Sequence, residues 1–468
     1  MGGARWLYND CSVISHFIAL SFLAARQVDL PAIEKTLVAE LAETRTPGAA
    51  LVIVRGEEIL LSKGFGVASV ETREPVTPDH LFRVGSTTKL FTAMALATLA
   101  EKGKIDLKRP LGTTAPGLPG FDAQVSAHQL LSHTAGIKDQ PADFGLHDES
   151  ALAAFPRGWG DDYRLAPPGV AFSYSNPGFA LAGLLVEVTF GKPYADAMKD
   201  LLLVPLGMER ATFRPTEAMT RPISQGHEVP PEGQVAVVRP FSDDSRQWPN
   251  GFLMASASEM GRFARAFLND GRLDGREVLS PGAIARVSTP HAEISYDLPD
   301  MKKPKYGYGL FLHTWDGVAI AEHVGTMPGY TSILKMAPDE RFAVILLANQ
   351  EGVTFEKTLF AAFSSFRKNE AASPPEMKPV TMTKSEMEAC VGVYRNRWPV
   401  AIAHQEGAPF LEQFGARMPV TKLGPDLFSA QPPGGRPAIP FRIIAGPDGR
   451  GELLQMFLWV FKREEVVP

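Results

Sequence analysis

Apolar and polar positions alternate in a way that divides the first hundred residues into a helix, a hairpin and a second helix. Apolar residues recur at helical spacing over 30–43. The segment PGAALVIVRGEEILLSKGFG holds two apolar runs around an Arg-Gly pair, which predicts a β-hairpin. A short apolar segment follows at 81–84. An almost wholly apolar helix is predicted over 86–102, and the glycine after it is expected to end the helix.

The pattern then changes from helices to consecutive strands. Residues from about 105 to 250 are irregular and rich in proline and glycine, with one clear helix, PGFALAGLLVEVTFG, and a further helix fits 256–269. Three or four strands are predicted next, in YGYGLFLHTW, VAIAEHVG, YTSILKMAP and FAVILLANQ, and a helix near 356–366 closes this part. This order predicts an antiparallel sheet completed by both ends of a domain, flanked by helices and joined to a mostly helical subdomain, and does not fit a doubly wound parallel sheet.

A break in composition separates a second unit near the C-terminus. The stretch KNEAASPPEMKPVTMTK, 368–384, is interpreted as a linker. Short alternating runs with turns follow it, in VGVYRN, VAIAHQ, FRIIAG and LLQMFLWVFK, and predict a small β domain, either a barrel or a curled sheet. We therefore expect one domain over 29–367, the linker over 368–384 and a β domain over 385–468.

Residues 1–28 have two interpretations. The apolar run CSVISHFIALSFLAA, 11–25, has the length of a signal peptide and follows Arg5, and it is too short for an ordinary membrane span. Asp10 before the run, His16 within it and the lack of a small-x-small cleavage site favour an N-terminal helix docked on the domain instead. A signal peptide predicts a periplasmic or secreted protein, whereas a docked helix predicts a cytoplasmic one.

Composition narrows the class of partner. The chain has 468 residues, of which 45% are hydrophobic, so two domains are expected. The net charge is -5 with no basic stripe, which disfavours nucleic acid and anionic membrane surfaces as partners. The two cysteines, Cys11 and Cys390, form no metal-type or redox-type cluster, and no His-Glu-x-x-His pair occurs. We expect no metal and no cofactor, and the oligomeric state is left open.

The stretch VGSTTKLF carries the first candidate chemistry. Ser86 and Lys89 lie one helical turn apart on the same face. A serine hydroxyl needs a neighbouring base to act as a nucleophile, and an apolar surround lowers the pKa of a lysine so that its neutral form can serve. The helix N-terminus aims backbone N–H groups at a developing oxyanion. The alternative interpretation makes Ser86 an N-cap and Lys89 a solvated lysine, and this pair alone does not exclude it.

A second candidate motif is Tyr174-Ser175-Asn176. A tyrosine on this loop can relay protons between Ser86 and Lys89, and a nearby cation would favour its phenolate form. Asn176 would hydrogen-bond a substrate amide or carbonyl. In the alternative interpretation Asn176 is the N-cap of the following helix, with Pro177 at its first position, and Tyr174 is a packed aromatic residue.

The third motif is His323-Val324-Gly325-Thr326, at the end of a predicted strand. A histidine on a strand is more often structural than catalytic. Here Gly325 follows two residues later, and a glycine in a strand allows close approach of the backbone to a ligand. His323 is therefore a candidate for the wall of a site.

Together and in this order, the three motifs resemble the serine β-lactamase and penicillin-binding-protein superfamily, above all its class C β-lactamase-like branch of esterases and D-amino-acid peptidases. The stretches that carry the resemblance lie within about 30–365 and are TPGAALVIVRG, SKGFGVAS, TPDHLFRVGSTTKLFTAMALATLAEKGKIDL, QLLSHTAGI, PPGVAFSYSNPGFALAGLLVE and PNGFLMASASEMGRFARAFLNDG. From about Met387 the chain resembles the lipocalin-like β domain that some members append, mainly in CVGVYRN. The resemblance implies an α/β fold of the β-lactamase type.

The resemblance also implies a role for each matching residue. Ser86 would be the acylated nucleophile, Lys89 its base partner and Tyr174 the proton shuttle for acylation and deacylation. Asn176 would orient the substrate. The backbone N–H groups of Ser86 and Thr326 would form the oxyanion hole.

The third motif departs from the pattern of many β-lactamases, which carry Lys-Thr-Gly or Lys-Ser-Gly there. His323 replaces that lysine, and a histidine is mostly neutral at pH 7, so it anchors a substrate carboxylate less well. This favours a serine hydrolase of small esters or amides. A β-lactamase or D-amino-acid peptidase, and a catalytically silent binding protein on the same fold, are the alternatives. His133 is expected to be structural, and Gly251 to line the cleft.

Overall fold

The structure, a computed structural model, describes residues 28–115, 124–140, 144–294, 296–298, 301–367 and 378–464. The apolar run on which the signal-peptide interpretation depends lies outside the described residues, as does most of the predicted linker. Among the helices in these ranges, none combines the length and the hydropathy that a membrane span requires.

Helices occupy mainly the first three quarters of the chain. In the described ranges the α-helices are α1 (Leu30–Thr44), α2 (Thr88–Glu101), α3 (Ala127–Leu131), α4 (Ala151–Ala154), α5 (Asn176–Phe190), α6 (Tyr194–Met198), α7 (Pro215–Ala218), α8 (Trp248–Gly251), α9 (Ala257–Leu268), α10 (Pro281–Ser288), α11 (Glu356–Phe363) and α12 (Lys384–Cys390).

Strands occur at the start of the chain and dominate its second half. In the same ranges they are β1 (Gly48–Arg55), β2 (Glu58–Gly66), β3 (Leu81–Arg83), β4 (His227–Glu228), β5 (Ala236–Val237), β6 (Met254–Ser256), β7 (Arg272–Leu273), β8 (Arg276–Glu277), β9 (Ala292–Glu293), β10 (Lys302–Tyr306), β11 (Phe311–Trp315), β12 (Val318–Met327), β13 (Tyr330–Ala337), β14 (Phe342–Ala348), β15 (Gly392–Arg395), β16 (Pro399–Gln405), β17 (Ala408–Gln413), β18 (Ala416–Lys422), β19 (Leu427–Ala430), β20 (Ile439–Ala445), β21 (Gly451–Met456) and β22 (Trp459–Arg463).

Eight of the strands in the described ranges form one antiparallel sheet, in the order β2-β1-β14-β13-β12-β11-β10-β9. The first hairpin pairs with the last strand, so that Leu51 of β1 lies opposite Leu346 of β14. Strands β1, β13 and β14 are buried along almost their whole length because α2 and α9 cover one face and α1 and α11 the other. The predicted antiparallel sheet, completed by both ends of the domain, is confirmed.

Helix α2 lies in the centre of this domain. Its sequence is apolar on all sides, and such a helix is stable only when it is buried all round. It packs between the sheet and the helical region, where Phe91 contacts Phe263 of α9 with ring centroids 4.6 Å apart. The first turn of α2 is thereby held in the interior of the molecule.

The C-terminal unit is a closed barrel. Within the described range 378–464, the eight strands β15 to β22 pair in sequence, and β15 closes the barrel on β22 through Tyr394 opposite Arg463. Its interior is filled by fully buried side chains such as Leu411, Phe441 and Leu454. The predicted barrel-like domain is confirmed.

Two apolar segments of the sequence each include a turn between two strands. YGYGLFLHTW contains the end of β10 and all of β11, and Gly309 between them adopts a left-handed φ of 72° where its backbone meets Leu90 of α2. LLQMFLWVFK contains β21 and β22, separated by Phe457 with a φ of 53°. The residues of the first turn are buried like those of the strands, and the residues of the second turn are half-buried, so the hydrophobic pattern did not reveal the turns.

Candidate active site

Ser86 lies in a short 3₁₀ turn, Gly85–Thr87, that joins β3 to α2. Gly85 has a left-handed φ of 50°, and a Cβ there would fall 2.6 Å from the nitrogen of Thr326 in β12. A Cβ on Gly325 would fall 2.8 Å from the nitrogen of Ser86. The turn and the strand therefore touch through their backbones, and only glycine fits at both positions.

Lys89 is completely buried in the first turn of α2. Its Nζ donates to Ser86 Oγ at 3.1 Å, to Asn176 Oδ1 at 2.7 Å and to the carbonyl oxygen of Asn250 at 2.6 Å. These three acceptors match the three donors of an ammonium group. The alternative interpretation, in which Ser86 is an N-cap and Lys89 is solvated, is wrong for both residues. Thr87 occupies the N-cap position of α2, and Lys89 has no contact with solvent.

The surroundings of Lys89 favour its neutral form. Burial lowers the pKa of Lys89 to about 7, and the carboxylate of Asp139 opposes that shift. The faces of two aromatic rings take the place of part of the water that Lys89 loses on burial. Nζ lies 4.8 Å from the ring centroid of Tyr174 and 5.7 Å from that of Phe179. At neutral pH a substantial fraction of Lys89 is able to accept a proton.

Tyr174 lies in the loop that leads into α5, and its side chain is buried. Burial raises the pKa of Tyr174, and a hydrogen bond with Ser86 offsets only part of that shift. Burial therefore opposes the phenolate form that a nearby cation was expected to favour. The phenol keeps its proton and is able to donate it.

Asn176 is the first residue of α5 and not its N-cap, so that part of the alternative interpretation is also wrong. Ser175 is the cap: its backbone is extended and its Oγ accepts from the nitrogen of Gly178 at 3.1 Å. The amide of Asn176 instead forms a bridge, in which Oδ1 accepts from Lys89 and Nδ2 donates to Asp139 at 3.0 Å.

His323 lies on β12 with its ring buried at the cleft. Nδ1 donates to the carbonyl oxygen of Val324 at 2.8 Å, and Nε2 accepts from the hydroxyl of Tyr306 at 3.2 Å. Burial, followed by the charge of Lys89, lowers the pKa of His323 to about 3. The ring is therefore neutral throughout the physiological range.

His133 lies behind Tyr174 and does not line the cleft. The two ring centroids are 4.2 Å apart, and Nδ1 of His133 accepts from the nitrogen of Ser175 at 3.1 Å. Burial holds the pKa of His133 well below its usual value. The residue supports the loop that carries Tyr174 and Asn176.

These elements enclose a cleft of about 550 Å³. The residues singled out from the sequence that line it are Ser86, Tyr174, Asn176, Gly251, His323 and Thr326. Lys89 lies beneath the cleft, and Gly325 packs against the turn that holds Ser86. The structure thus brings together all the side chains and backbone groups that the three motifs predicted.

Sequence reasoning missed five residues that complete the site. Asp139 and the carbonyl of Asn250 contact the Asn176–Lys89 pair, and the C-terminal barrel contributes the other three to the cleft wall: Arg397, Leu458 and Trp459. A single acidic residue in a loop and an aromatic residue in a strand carry no sequence signal of this kind. Within the part of the chain that the structure describes, no cluster of His, Cys, Asp or Glu is suited to hold a metal ion.

An antiparallel sheet covered by helices, with a Ser-x-x-Lys pair at the head of its central helix whose serine lines the cleft and whose lysine is buried, defines the class of β-lactamase-like serine hydrolases. The family model described as Beta-lactamase matches residues 33–362, and the chain belongs to this family. Penicillin-binding protein 4 of Amycolatopsis lactamdurans is 31% identical over 358 residues, which cover 72% of this chain and 91% of that protein. The resemblance noted in the sequence is confirmed.

Solved structures resemble the whole molecule, including the barrel. SurE, in its crystal structure with D-Leu, is 29% identical, with a TM-score of 0.77 over 93% of this chain and 99% of that one. An octameric penicillin-binding protein homologue from Pyrococcus abyssi has a TM-score of 0.66 at 23% identity over 93% of this chain and 100% of that one. The combination of the two domains is therefore shared with other proteins of this fold.

Proposed function

We propose that the protein is a serine hydrolase that cleaves small esters or amides through a covalent acyl-enzyme on Ser86. One observation carries the proposal: the amine of the fully buried Lys89 lies 3.1 Å from Ser86 Oγ, and burial brings its pKa to about 7. A base whose pKa is near the working pH is the most effective general base for such a hydroxyl.

In acylation, neutral Lys89 takes the proton of Ser86 Oγ while that oxygen attacks the substrate carbonyl carbon. The backbone N–H groups of Ser86 and Thr326 donate to the oxyanion that forms. As the ester or amide bond breaks, Tyr174 gives its proton to the leaving group and regains one from Lys89. Water then attacks the acyl carbon with the same groups in reversed roles, which releases the acid and restores Ser86.

Asn176 and His323 have supporting roles in this proposal. The amide of Asn176 lies in the cleft wall beside Lys89, where it is placed to orient a substrate carbonyl or amide. His323 presents a neutral ring to the cleft. A neutral wall at this position suits an uncharged acyl group better than a carboxylate, which favours esters and small amides over anionic substrates.

The second candidate is acylation by β-lactams or D-amino-acid peptides. It is favoured by the 31% identity to a penicillin-binding protein and by the likeness to SurE, whose structure was solved with D-Leu. The acyl-enzyme chemistry on Ser86 would be the same, and only the substrate would differ.

Labelling tests the nucleophile. A fluorophosphonate probe and a fluorescent penicillin should label the wild-type protein, and Ser86→Ala should abolish labelling because it removes the attacking oxygen. Ser364→Ala, which changes an exposed serine outside the cleft, should label like the wild type. Intact mass spectrometry measures the adduct. Labelling of Ser86→Ala at the wild-type level would rule out Ser86 as the nucleophile.

A substrate panel separates the candidate functions. Turnover of p-nitrophenyl butyrate, nitrocefin and D-Ala-p-nitroanilide is compared, with Ser86→Ala as the blank. A dominant ester rate supports the first proposal, and a dominant nitrocefin or D-Ala rate supports the second. A protein that neither labels nor turns over any of the three in a Ser86-dependent way is a silent binding protein on this fold.

A further inference from the structure

Asp139 is a fully buried carboxylate at the boundary between the hydrolase domain and the barrel. Its Oδ1 accepts from the backbone nitrogen of Asn176 at 2.9 Å and from Asn176 Nδ2 at 3.0 Å. Its Oδ2 accepts from Trp459 Nε1 at 3.0 Å and lies 3.6 Å from a guanidinium nitrogen of Arg397. All of these partners are donors, so a protonated carboxyl would have no acceptor among them, which favours the carboxylate. Burial raises the pKa of Asp139, and the backbone hydrogen bond from Asn176, the charge of Arg397 and the hydrogen bond from Trp459 act in the opposite direction.

This carboxylate fixes the orientation of the Asn176 amide. An amide presents donors on one side and an acceptor on the other, so an Nδ2 group turned toward Asp139 leaves Oδ1 turned toward Lys89. The reversed amide would place two oxygens against each other at Asp139 and two nitrogens against each other at Lys89. Asp139 therefore determines which atom the amine of Lys89 meets.

The barrel in turn holds Asp139. The indole N–H of Trp459 donates to Oδ2, and the side chain of Asn396 accepts from the backbone nitrogen of Asp139 at 3.2 Å. Arg397 supplies a positive charge beside the same oxygen, with its side chain 36% exposed in the cleft wall. Two groups of the barrel thus contact the carboxylate of Asp139 and a third contacts its backbone, at the wall of the cleft.

We infer that Asp139 is a positioning residue for Lys89 and that Trp459 and Arg397 complete the same network, which makes the C-terminal barrel part of the active site. This inference rests on the proposed function. It assigns the barrel a role in catalysis, where the sequence left open whether the barrel covers the cleft, mediates oligomerisation or only stabilises the fold.

The network makes a prediction about charge. The titratable groups that face Lys89 from the elements packed around it are Asp139, Tyr174, His133 and His323. Burial keeps Tyr174 and both histidines in their neutral forms, whereas the donors around Asp139 oppose the effect of burial and favour its carboxylate. Loss of its negative charge lowers the pKa of Lys89. Loss of the positive charge of Arg397 raises the pKa of Lys89, because the carboxylate is then less well neutralised.

The experiment is the pH dependence of kcat/KM for p-nitrophenyl butyrate between about pH 5 and 9. Lys89 must be neutral to act as the base. Its protonation therefore sets the pH below which kcat/KM falls, which is called the acid limb. Asp139→Asn should move this limb to lower pH by roughly one unit, and should lower the plateau value about tenfold because the amide loses its fixed orientation. Arg397→Gln should move the limb in the opposite direction.

Arg417→Gln is the matched control. It removes a charge from an exposed ion pair with Glu412 elsewhere on the barrel and should leave both the limb and the plateau at the wild-type values. If Asp139→Asn does not fold, Arg397→Gln and Trp459→Phe test the network from the barrel side. Trp459→Phe removes the indole N–H but keeps an aromatic ring. It should move the acid limb in the same direction as Arg397→Gln.

The outcomes separate this inference from the proposed function. Labelling that depends on Ser86, combined with acid limbs that stay at the wild-type pH in Asp139→Asn and Arg397→Gln, overturns the inference alone. Labelling that persists in Ser86→Ala overturns the proposed function and the inference with it. Limbs that move in opposite directions support both, because a purely structural role for Asp139 and Arg397 would not produce shifts of opposite sign.

Discussion

At the scale of single residues, the chemistry depends on how burial sets the protonation state of each group. Lys89, Tyr174 and His323 are all buried, and in each case desolvation is the largest influence on the pKa. Because desolvation disfavours whichever form is charged, it makes the lysine a base, keeps the tyrosine protonated and keeps the histidine neutral. In the proposed mechanism, this one physical cause suits the three residues to three different roles.

The acid limb of the wild-type protein follows from the pKa of Lys89. Below a pH of about 7, kcat/KM for p-nitrophenyl butyrate should fall about tenfold per pH unit, because protonated Lys89 cannot accept the proton of Ser86. Steady-state rates over this pH range measure it. Lys89→Met should lose roughly 10²–10⁴-fold at the plateau and should lack the limb. A wild-type rate that stays constant down to about pH 5 would contradict the assignment of Lys89 as the base.

His323→Lys tests what the third motif selects. A lysine brings a positive charge to the wall beside Gly325 and Thr326, so the ratio of nitrocefin turnover to p-nitrophenyl butyrate turnover should rise about tenfold, since nitrocefin bears a carboxylate. His404→Lys, at an exposed position on the barrel, is the control for the added charge and should leave the ratio unchanged. An unchanged ratio in His323→Lys would show that this position does not discriminate between substrates.

At the scale of elements, the site depends on the contact between β12 and the turn before α2. The strand is one of the central strands of the sheet and α2 is buried on all sides, so neither element is free to move apart from its neighbours. Gly85 and Gly325 allow the two backbones to touch. This contact brings the backbone of Thr326 against the turn that holds Ser86.

Gly325→Ala should separate the strand from the turn. The added methyl group would lie 2.0 Å from the carbonyl oxygen of Val84, and rigid backbone on both sides must shift to admit it. We expect a loss of about 1–3 kcal/mol in the free energy of unfolding and of about 10²–10³-fold in kcat/KM, because the oxyanion donors move apart. Urea unfolding and steady-state kinetics measure the two effects.

Gly424→Ala is the matched control for this substitution. A Cβ on Gly424 meets only the side chain of Leu427, at an ordinary contact distance of 3.5 Å, and the position lies in the barrel away from the cleft. It should change neither stability nor rate appreciably. If Gly325→Ala behaves in the same way as this control, the backbone contact between β12 and the turn is not needed for activity.

At the scale of the whole molecule, the barrel holds the loop that carries Tyr174. The hairpin of β21 and β22 meets three consecutive residues of this loop. Gln455 Nε2 donates to the carbonyl oxygen of Phe172 at 3.0 Å, Ser173 Oγ accepts from the nitrogen of Val460 at 3.1 Å, and the nitrogen of Tyr174 donates to the carbonyl oxygen of Leu458 at 2.7 Å. The loop that carries Tyr174 is thus held by groups of both domains.

Gln455→Ala should loosen this connection. It removes a buried donor and leaves the carbonyl of Phe172 unpaired, which costs about 1–3 kcal/mol. Amide hydrogen exchange over 172–176 should become faster, and kcat/KM should fall. Gln431→Ala is the control, because the side chain of Gln431 is exposed and donates only within its own loop of the barrel. Exchange over 172–176 that matches the wild type in Gln455→Ala would show that the barrel does not hold the loop.

The sequence by itself determined the antiparallel sheet completed by both ends of the domain and the local motifs. Both depend on patterns among residues that are close in the sequence. The pattern of apolar residues predicts the strands, and a spacing of three residues puts Ser86 and Lys89 on one helical face. Only the tertiary structure decided which side chains complete the site. Asp139 and Trp459 meet although 320 positions separate them, and such a contact arises when two domains dock, which no periodicity along the chain records. The protonation of Tyr174 was decided in the same way, because desolvation depends on every atom packed around the ring and not on the neighbouring residues in the sequence.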